Sequence, residues 1–323
     1  MKMEQGARII VENWIHAQRE DVLHFITDET KLREASAFTK AAQRCGAIPK
    51  VTVLPSHSIQ AGQTIEEMRK IMSYATVIIG ATNDSFITTD AVGFALRRGA
   101  RFLSLPLSCN DGRSLLEQDF LEMAPAAAAR LGRPMLRCLR ISDTVHITTR
   151  LGTDITFGIR GRKPGLFNGV TTRPGMCASA SFEVYIPPVE DQTNGRVILD
   201  GSMGYIGLVK KPLELGFEKG YLTYIEKTPD GDRLRSFLES FGDPEMYCAA
   251  ELGIGLNRLS RCRGASYIED ESAFGTFHIG FGRNLALGGA HNAAGHFDIV
   301  VHDPTILTGE SVIMKDGASC AWF

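Results

Sequence analysis

Strand-like and helix-like segments alternate through the first ~135 residues, and nothing else in the sequence constrains the fold as strongly. Apolar runs at 22–27, 50–55, 76–80 and 101–105 have the length and continuity of buried strands. Between them, 31–44, 64–74 and 89–98 place apolar side chains at helical spacing. Gly46 and Gly99 end the first and third of these helices. Asp28 stands where it can cap the first, and Thr64-Ile65-Glu66-Glu67 offers the second a capping box. Another helix is expected over 114–123. Pro125 should break it before an Ala-rich helical stretch resumes to about Leu131. A chain that alternates in this way forms a parallel sheet with helices on its faces.

The texture changes after about Leu136. Strand-like runs separated by Gly, Pro and Asp now dominate, at 143–149, 154–158, 181–186, 196–199 and 221–226, with one helix at about 232–241. The fold expected is α/β: an N-terminal parallel-sheet domain over 1–135, then an α+β domain over 136–323 rich in antiparallel strands. The hinge is expected around 133–139. A length of 323 residues suits two cores better than one.

The net charge of −2 and the absence of a basic stripe give no reason to expect nucleic acid or a membrane as partner. Seven scattered cysteines without a CxxC pair fit reduced thiols rather than a zinc ribbon or redox motif. Residues 1–21 are too charged for a signal peptide, and no apolar run reaches the ~18 residues of a membrane helix. A cytoplasmic protein is expected. The loop Thr27-Asp28-Glu29-Thr30 holds two carboxylates and no GxGxxG, and no GxxxxGK[ST] occurs. The first domain therefore reads as a scaffold and one wall of a cleft, not as a nucleotide site.

Chemistry concentrates in the second domain. His296 and Asp298 lie two apart in the strand-like run Gly295-His296-Phe297-Asp298-Ile299-Val300-Val301, so both side chains point to one face. An imidazole beside a carboxylate on a rigid strand is a ready pair of metal ligands. His278, Glu251 and Glu183 each sit in apolar or Gly-rich strand-like surroundings, where an isolated polar or charged group is costly. Three carboxylates and two imidazoles satisfy one another most simply around shared cations. Such hard ligands without thiolates suit Zn²⁺, Mn²⁺, Co²⁺ or Fe²⁺, and five are better used by two ions than by one.

The order Glu183, Glu251, His278, then His-x-Asp at 296–298, resembles the aminopeptidase T family of metallopeptidases. Phe277-His278-Ile279-Gly280-Phe281-Gly282 matches that family's HIxxG run, and the likeness extends loosely over most of the chain, including 85–101. The resemblance implies a homo-oligomeric, dinuclear metal-dependent hydrolase (an aminopeptidase-like protease) acting on a small amide or peptide. All five residues would bind Zn, Co or Mn, and Glu183 or Glu251 would serve as catalytic base. Leu285 stands where the family carries a Tyr; His291 is a candidate substitute. Arg283 and Asn284 are candidates for substrate contact because they follow the His278 run directly.

A second branch of the same superfamily is also similar, the 2,5-dihydroxypyridine 5,6-dioxygenases. The match lies in overall length, in Gly242-Asp243-Pro244-Glu245-Met246-Tyr247 and in Gly295-His296-Phe297-Asp298. That resemblance implies a single Fe(II) held by two His and one Asp, and ring cleavage instead of hydrolysis. Here Glu251 takes the place of the third ligand, a His. Glu183 and His278 replace apolar residues, and Thr88 replaces a basic His. Those departures favour the hydrolase as the expectation, with the dioxygenase as its alternative.

Among other residues, Arg160, Arg162 and Lys163 read as a solvated hairpin end. Cys177 and Cys248 read as buried filler, and the apolar 321–323 as a packed terminus.

Overall fold

The computed structural model describes residues 1–55 and 69–320. The capping box at 64–67, the first five residues of the helix expected over 64–74 and the terminus 321–323 lie outside the described residues; Arg69–Met72 is helical. The chain divides into two compact units, one of Met1–Pro125 with Phe167–Ser181, the other of Ala126–Leu166 with Phe182–Phe323.

The first unit holds a five-stranded sheet in the order Ile48–Leu54, Val22–Asp28, Val77–Ala81, Arg101–Ser104, Cys177–Ser179, parallel at every pairing. Its central strands are buried along almost their whole length, so they read as unbroken apolar runs. The helix Leu32–Arg44 packs Phe38 onto Phe25, with ring centroids 4.9 Å apart. On the other face Ile26, Ile78, Phe86 and Phe102 cluster with Ala91 and Val92 of the helix Asp90–Arg97.

Asp28 does not cap the following helix, whose N-cap is Lys31 with no side-chain hydrogen bond. Its carboxylate instead locks two loops together. One oxygen accepts from the Thr30 amide (2.9 Å) and hydroxyl (2.5 Å), the other from the Asn83 amide (2.7 Å). This is the carboxyl end of the two strands where the sheet order reverses, the usual ligand crevice of such sheets. The amides that a phosphate would use there are already taken by a side chain.

Two expectations about the middle of the chain are corrected. Residues 114–123 form not one helix but two 3-10 turns, Leu115–Glu117 and Asp119–Glu122, the first with a Ser114/Glu117 capping box. Pro125 starts a helix rather than breaking one, because its missing N–H falls in the first turn. That helix, Pro125–Ile141, carries Pro134 inside it and covers the stretch expected to be a hinge. The two units meet in sequence at Pro125/Ala126, ten residues earlier than the 135/136 boundary expected, and 167–181 returns to the first unit to supply its last strand.

The second unit holds two sheets. An eight-stranded sheet has the order Tyr221–Ile225, Leu213–Glu218, Thr193–Leu199, Asp154–Gly158, Thr144–Thr148, Thr305–Thr308, Ser311–Lys315, Ala318–Ser319, all antiparallel. The other sheet runs His296–His302, Thr276–Gly282, Ala249–Gly255, Phe182–Ile186, Gly165–Asn168. A bulge between Ala249 and Glu251 shifts the register of the third of these strands against the second. The helix Tyr267–Ser272 is buried along its whole length and lies against this sheet. Its Ser272 hydroxyl accepts from the Phe182 amide at 3.0 Å, and a methyl group at Gly255 would collide with the Ala273 carbonyl just beyond it. Among the described residues no helix is long and apolar enough to cross a membrane.

Candidate metal centre

Sheet register alone brings the five ligand-type residues to one face. Glu183 is opposite Gly255, Gly253 opposite His278, and Glu251 opposite Gly280. Gly280 in turn faces Asp298, and Gly282 faces His296. Paired residues, and residues two apart on a strand, share a face. Ligands and glycines therefore interleave across four strands, and the glycines leave room for the side chains. A Cβ at Gly280 would lie 2.7 Å from His296 Cε1 and 2.8 Å from both His296 Nε2 and Glu251 Cβ. A Cβ at Gly253 would fall on the His278 ring.

Two groups of three donors result, Glu183–Glu251–His278 and Glu251–His296–Asp298, each with its donor atoms within 4.8 Å of one another and with Glu251 common to both. His278 Nε2 is 2.7 Å from Glu183 Oε2. His296 Nε2 is 3.0 Å from Glu251 Oε2 and 3.4 Å from Asp298 Oδ1. Glu183, Glu251, His278 and Asp298 are all buried, while the His296 side chain keeps 16% exposure and marks the accessible side of the cluster.

The two imidazoles are not held alike. His296 Nδ1 is 2.9 Å from the Arg283 carbonyl, which fixes the ring with Nε2 towards the carboxylates. Metal-bound histidines are oriented in this way by a bond from their second nitrogen. His278 Nδ1 is buried with no hydrogen-bond partner among the described residues.

The helix Tyr267–Ser272 adds Glu271, a residue that sequence reasoning missed. Burial pushes the Glu271 carboxyl well above the usual range, and Asp298, Glu183 and Glu251 push it further. Burial likewise raises Glu251 to about 6, with the neighbouring carboxylates adding to the effect and His296 opposing it. Burial works against the charged form of His278, yet the Glu183 carboxylate outweighs it and takes the imidazole up to about 9. His296 is raised well above its ordinary value against burial by Asp298 and Glu251. Asp298 is lowered, again against burial, by the His296 charge. Even with Glu271 held neutral, three carboxylates face two imidazoles in a dry volume. A divalent cation would be neutralised there by Glu251 and Asp298 with His296 as a third donor, and the glycines leave room for those side chains, so these residues fit a metal.

The other candidates are engaged with the protein itself. Arg283 donates to the Ala293 carbonyl from Nε (2.9 Å) and Nη2 (2.7 Å). Asn284 is fully buried, donates to the Ala250 carbonyl (3.1 Å) and accepts from the His291 amide (2.8 Å). His291 Nε2 is 2.9 Å from the Glu245 carbonyl. Together they brace the loop between the strands of His278 and His296. Arg160 pairs with Asp143 at 2.7 Å, and Arg162 pairs with Glu190.

A family model described as 2,5-dihydroxypyridine 5,6-dioxygenase matches residues 15–321. The chain belongs to that family. A curated 2,5-dihydroxypyridine 5,6-dioxygenase of Pseudomonas putida KT2440 is 24% identical over 192 residues. That alignment covers 55% of each protein, so the chain spans about half the length of the curated relative it matches. Among solved structures, the dioxygenase from Pseudomonas putida KT2440 superposes with a TM-score of 0.82 at 19% identity, covering 99% of this chain and 97% of that one. AmpT from Thermus thermophilus superposes with a TM-score of 0.65 at 13% identity, covering 98% of each. At such identities both likenesses establish the shared α/β fold.

The expectation of an aminopeptidase-type hydrolase is overturned by the family match. It rested on the order of five ligand-type residues. AmpT and the dioxygenase both share the fold, so the fold does not choose between the two reactions. The readings as a hydrolase, aminopeptidase or protease, and with them the amide or peptide substrate, fall with that expectation.

Proposed function

We propose that this protein is a non-haem Fe(II) dioxygenase that opens the ring of a hydroxylated N-heteroaromatic compound of the 2,5-dihydroxypyridine type. The family match over residues 15–321 supports the reaction class. The observation that carries the site assignment is the His296 ring, held by the Arg283 carbonyl with Nε2 beside Glu251 and Asp298. In this reading Glu251, His296 and Asp298 hold one iron, with Glu251 in place of a second imidazole. Two carboxylates and one imidazole remain a hard donor set suited to Fe(II). Ferrous iron held by these residues would supply redox chemistry toward dioxygen.

The remaining roles belong to the protein. Glu183 would accept the proton of the substrate hydroxyl, with His278 Nε2, 2.7 Å away, donating to its carboxylate and holding it in place. Of the two acids expected to be catalytic, Glu183 keeps that role and Glu251 serves as ligand. The Glu183–His278 pair is already closed, so the second donor group handles protons instead of a second Zn, Co or Mn ion. The helix carrying Glu271 and Tyr267 excludes water from the liganding face.

The test is anaerobic loading with ferrous iron, followed by measurement of oxygen uptake and ring absorbance with a panel of hydroxypyridines. Uptake should match the loss of ring absorbance. His296→Ala should abolish both and lower the iron content while leaving the circular dichroism unchanged. Iron-loaded protein that consumes no oxygen with any hydroxypyridine refutes the reading.

A further inference from the structure

Next to Asp298 the second unit carries a tyrosine pair that the metal centre does not use. The segment before Tyr205 is tied to the edge of the His296 strand. Ser202 and Val300 exchange backbone hydrogen bonds of 3.2 and 2.8 Å. Gly204, at φ +47°, rests so close to the Asp298 carbonyl that a Cβ would lie 2.8 Å from its oxygen. The turn closes through Ile206 N–H to the Met203 carbonyl (2.8 Å), and Arg233 holds the Ile206 carbonyl at 2.6 Å. Gly201 to Gly204 are buried, whereas Tyr205 emerges part-exposed. Its ring packs on that of Tyr267, with centroids 4.6 Å apart and planes tilted by 49°. Tyr267 is buried, its hydroxyl is hydrogen-bonded to Tyr205, and it lies within electrostatic reach of Glu271 and Asp298. A rigid turn thus fixes a partly buried tyrosine next to the strand that carries Asp298. The hydroxyls of the pair are already ordered towards one another.

We infer that Tyr205 binds the planar hydroxyheteroaromatic substrate, its ring covering one edge and its hydroxyl bonding a ring oxygen or nitrogen, while Tyr267 acts as a positioning residue behind it. The inference rests on the function proposed above for the substrate class. Aromatic contacts and one hydrogen bond suit a small planar ring that carries hydroxyl groups. Neither tyrosine ligates metal, so their removal separates substrate binding from metal loading.

The experiment uses full-length protein loaded with ferrous iron under argon. Equilibrium binding of 2,5-dihydroxypyridine and of 3-hydroxypyridine is read from ligand absorbance, and steady-state oxygen uptake is measured in parallel. Tyr205→Phe should raise Kd and KM roughly tenfold with kcat changed less than threefold, and Tyr205→Leu should raise them further. Tyr267→Phe should show a smaller rise, with iron content and melting temperature kept in all three variants. Wild-type binding that Tyr205→Phe and Tyr205→Leu leave unchanged overturns the inference alone. Wild-type protein that binds a ring without turning it over, and loses that binding in Tyr205→Leu, supports the inference while refuting the reaction. Wild-type protein that binds neither ring overturns both.

Discussion

Gly280→Ala is the most direct test of how this sheet makes room for a cation. The new methyl would lie 2.7 Å from His296 Cε1 and 2.8 Å from Glu251 Cβ. Comfortable carbon–carbon contact is about 3.5–4.0 Å, so each neighbour must retreat by roughly 1 Å. Neither can do so freely. Glu251 Cβ moves only with its strand, and the His296 ring is tethered to the Arg283 carbonyl. The 3.0 Å approach of His296 Nε2 to Glu251 Oε2 should therefore open by about the same amount. Overpacking of this kind costs about 1–3 kcal/mol. A displaced ligand should weaken metal binding by at least the ~10–100-fold typical of losing a group that only orients a ligand. The assay is metal titration with thermal unfolding, set against Gly93→Ala as control. Gly93 lies in the helix Asp90–Arg97, where a Cβ would meet only the movable end of Arg97 at 3.3 Å. That control should be stabilised by up to ~1 kcal/mol. A Gly280→Ala protein with native melting temperature and native metal affinity would refute the reasoning.

Three further outcomes follow from the same geometry. In metal-free protein His278 is raised to about 9 by Glu183, so its stabilisation is complete below an unfolded-state pKa of ~6.5 and is lost as pH rises through 9. The melting temperature of apo protein should fall across that window, and Glu183→Gln should flatten the fall; a slope unaltered by Glu183→Gln counts against the pair. Asp28→Ala frees the Thr30 and Asn83 amides and should cost about 1–3 kcal/mol by denaturant titration, whereas a cost near zero would mean that water replaces the carboxylate. Glu271→Gln should leave apo stability within ~1 kcal/mol of wild type by denaturant titration, because burial and three neighbouring carboxylates favour the neutral form that Gln mimics; a larger loss would count against that form.

The parallel sheet was legible because its central strands are buried on both faces, and the pairing of His296 with Asp298 because two-residue spacing fixes a common face. The convergence of Glu183, Glu251 and His278 was suggested only by the cost of burying them singly. Their partners come from strands distant in the chain, and local patterns do not specify those pairings. Glu271 escaped because nothing in Tyr-Ile-Glu-Asp-Glu-Ser, with three acidic residues in a row, marks it as internal, yet every residue of it is buried. Asp270 accepts from the Arg263 and Gly264 amides, and Glu269 pairs with Arg263, so that segment's charges are satisfied inside the protein. Pro134 obscured a continuous helix, and the return of Cys177–Ser179 to the first sheet left no local trace. The reaction was the least legible feature, since one fold is common to the dioxygenase and to AmpT.

The bulge between Ala249 and Glu251 has a consequence for folding. Residues on either side of it are out of phase, and only with the extra residue does Glu251 come level with Gly280 on the ligand face. Side chains repeat every two residues, so a one-step slip in any of these hairpins turns a ligand to the opposite side. A cation that demands donors from several strands at once rewards the single alignment in which all of them agree. Its uptake would proofread strand pairing, and mispaired forms of the chain would be left without that stabilisation.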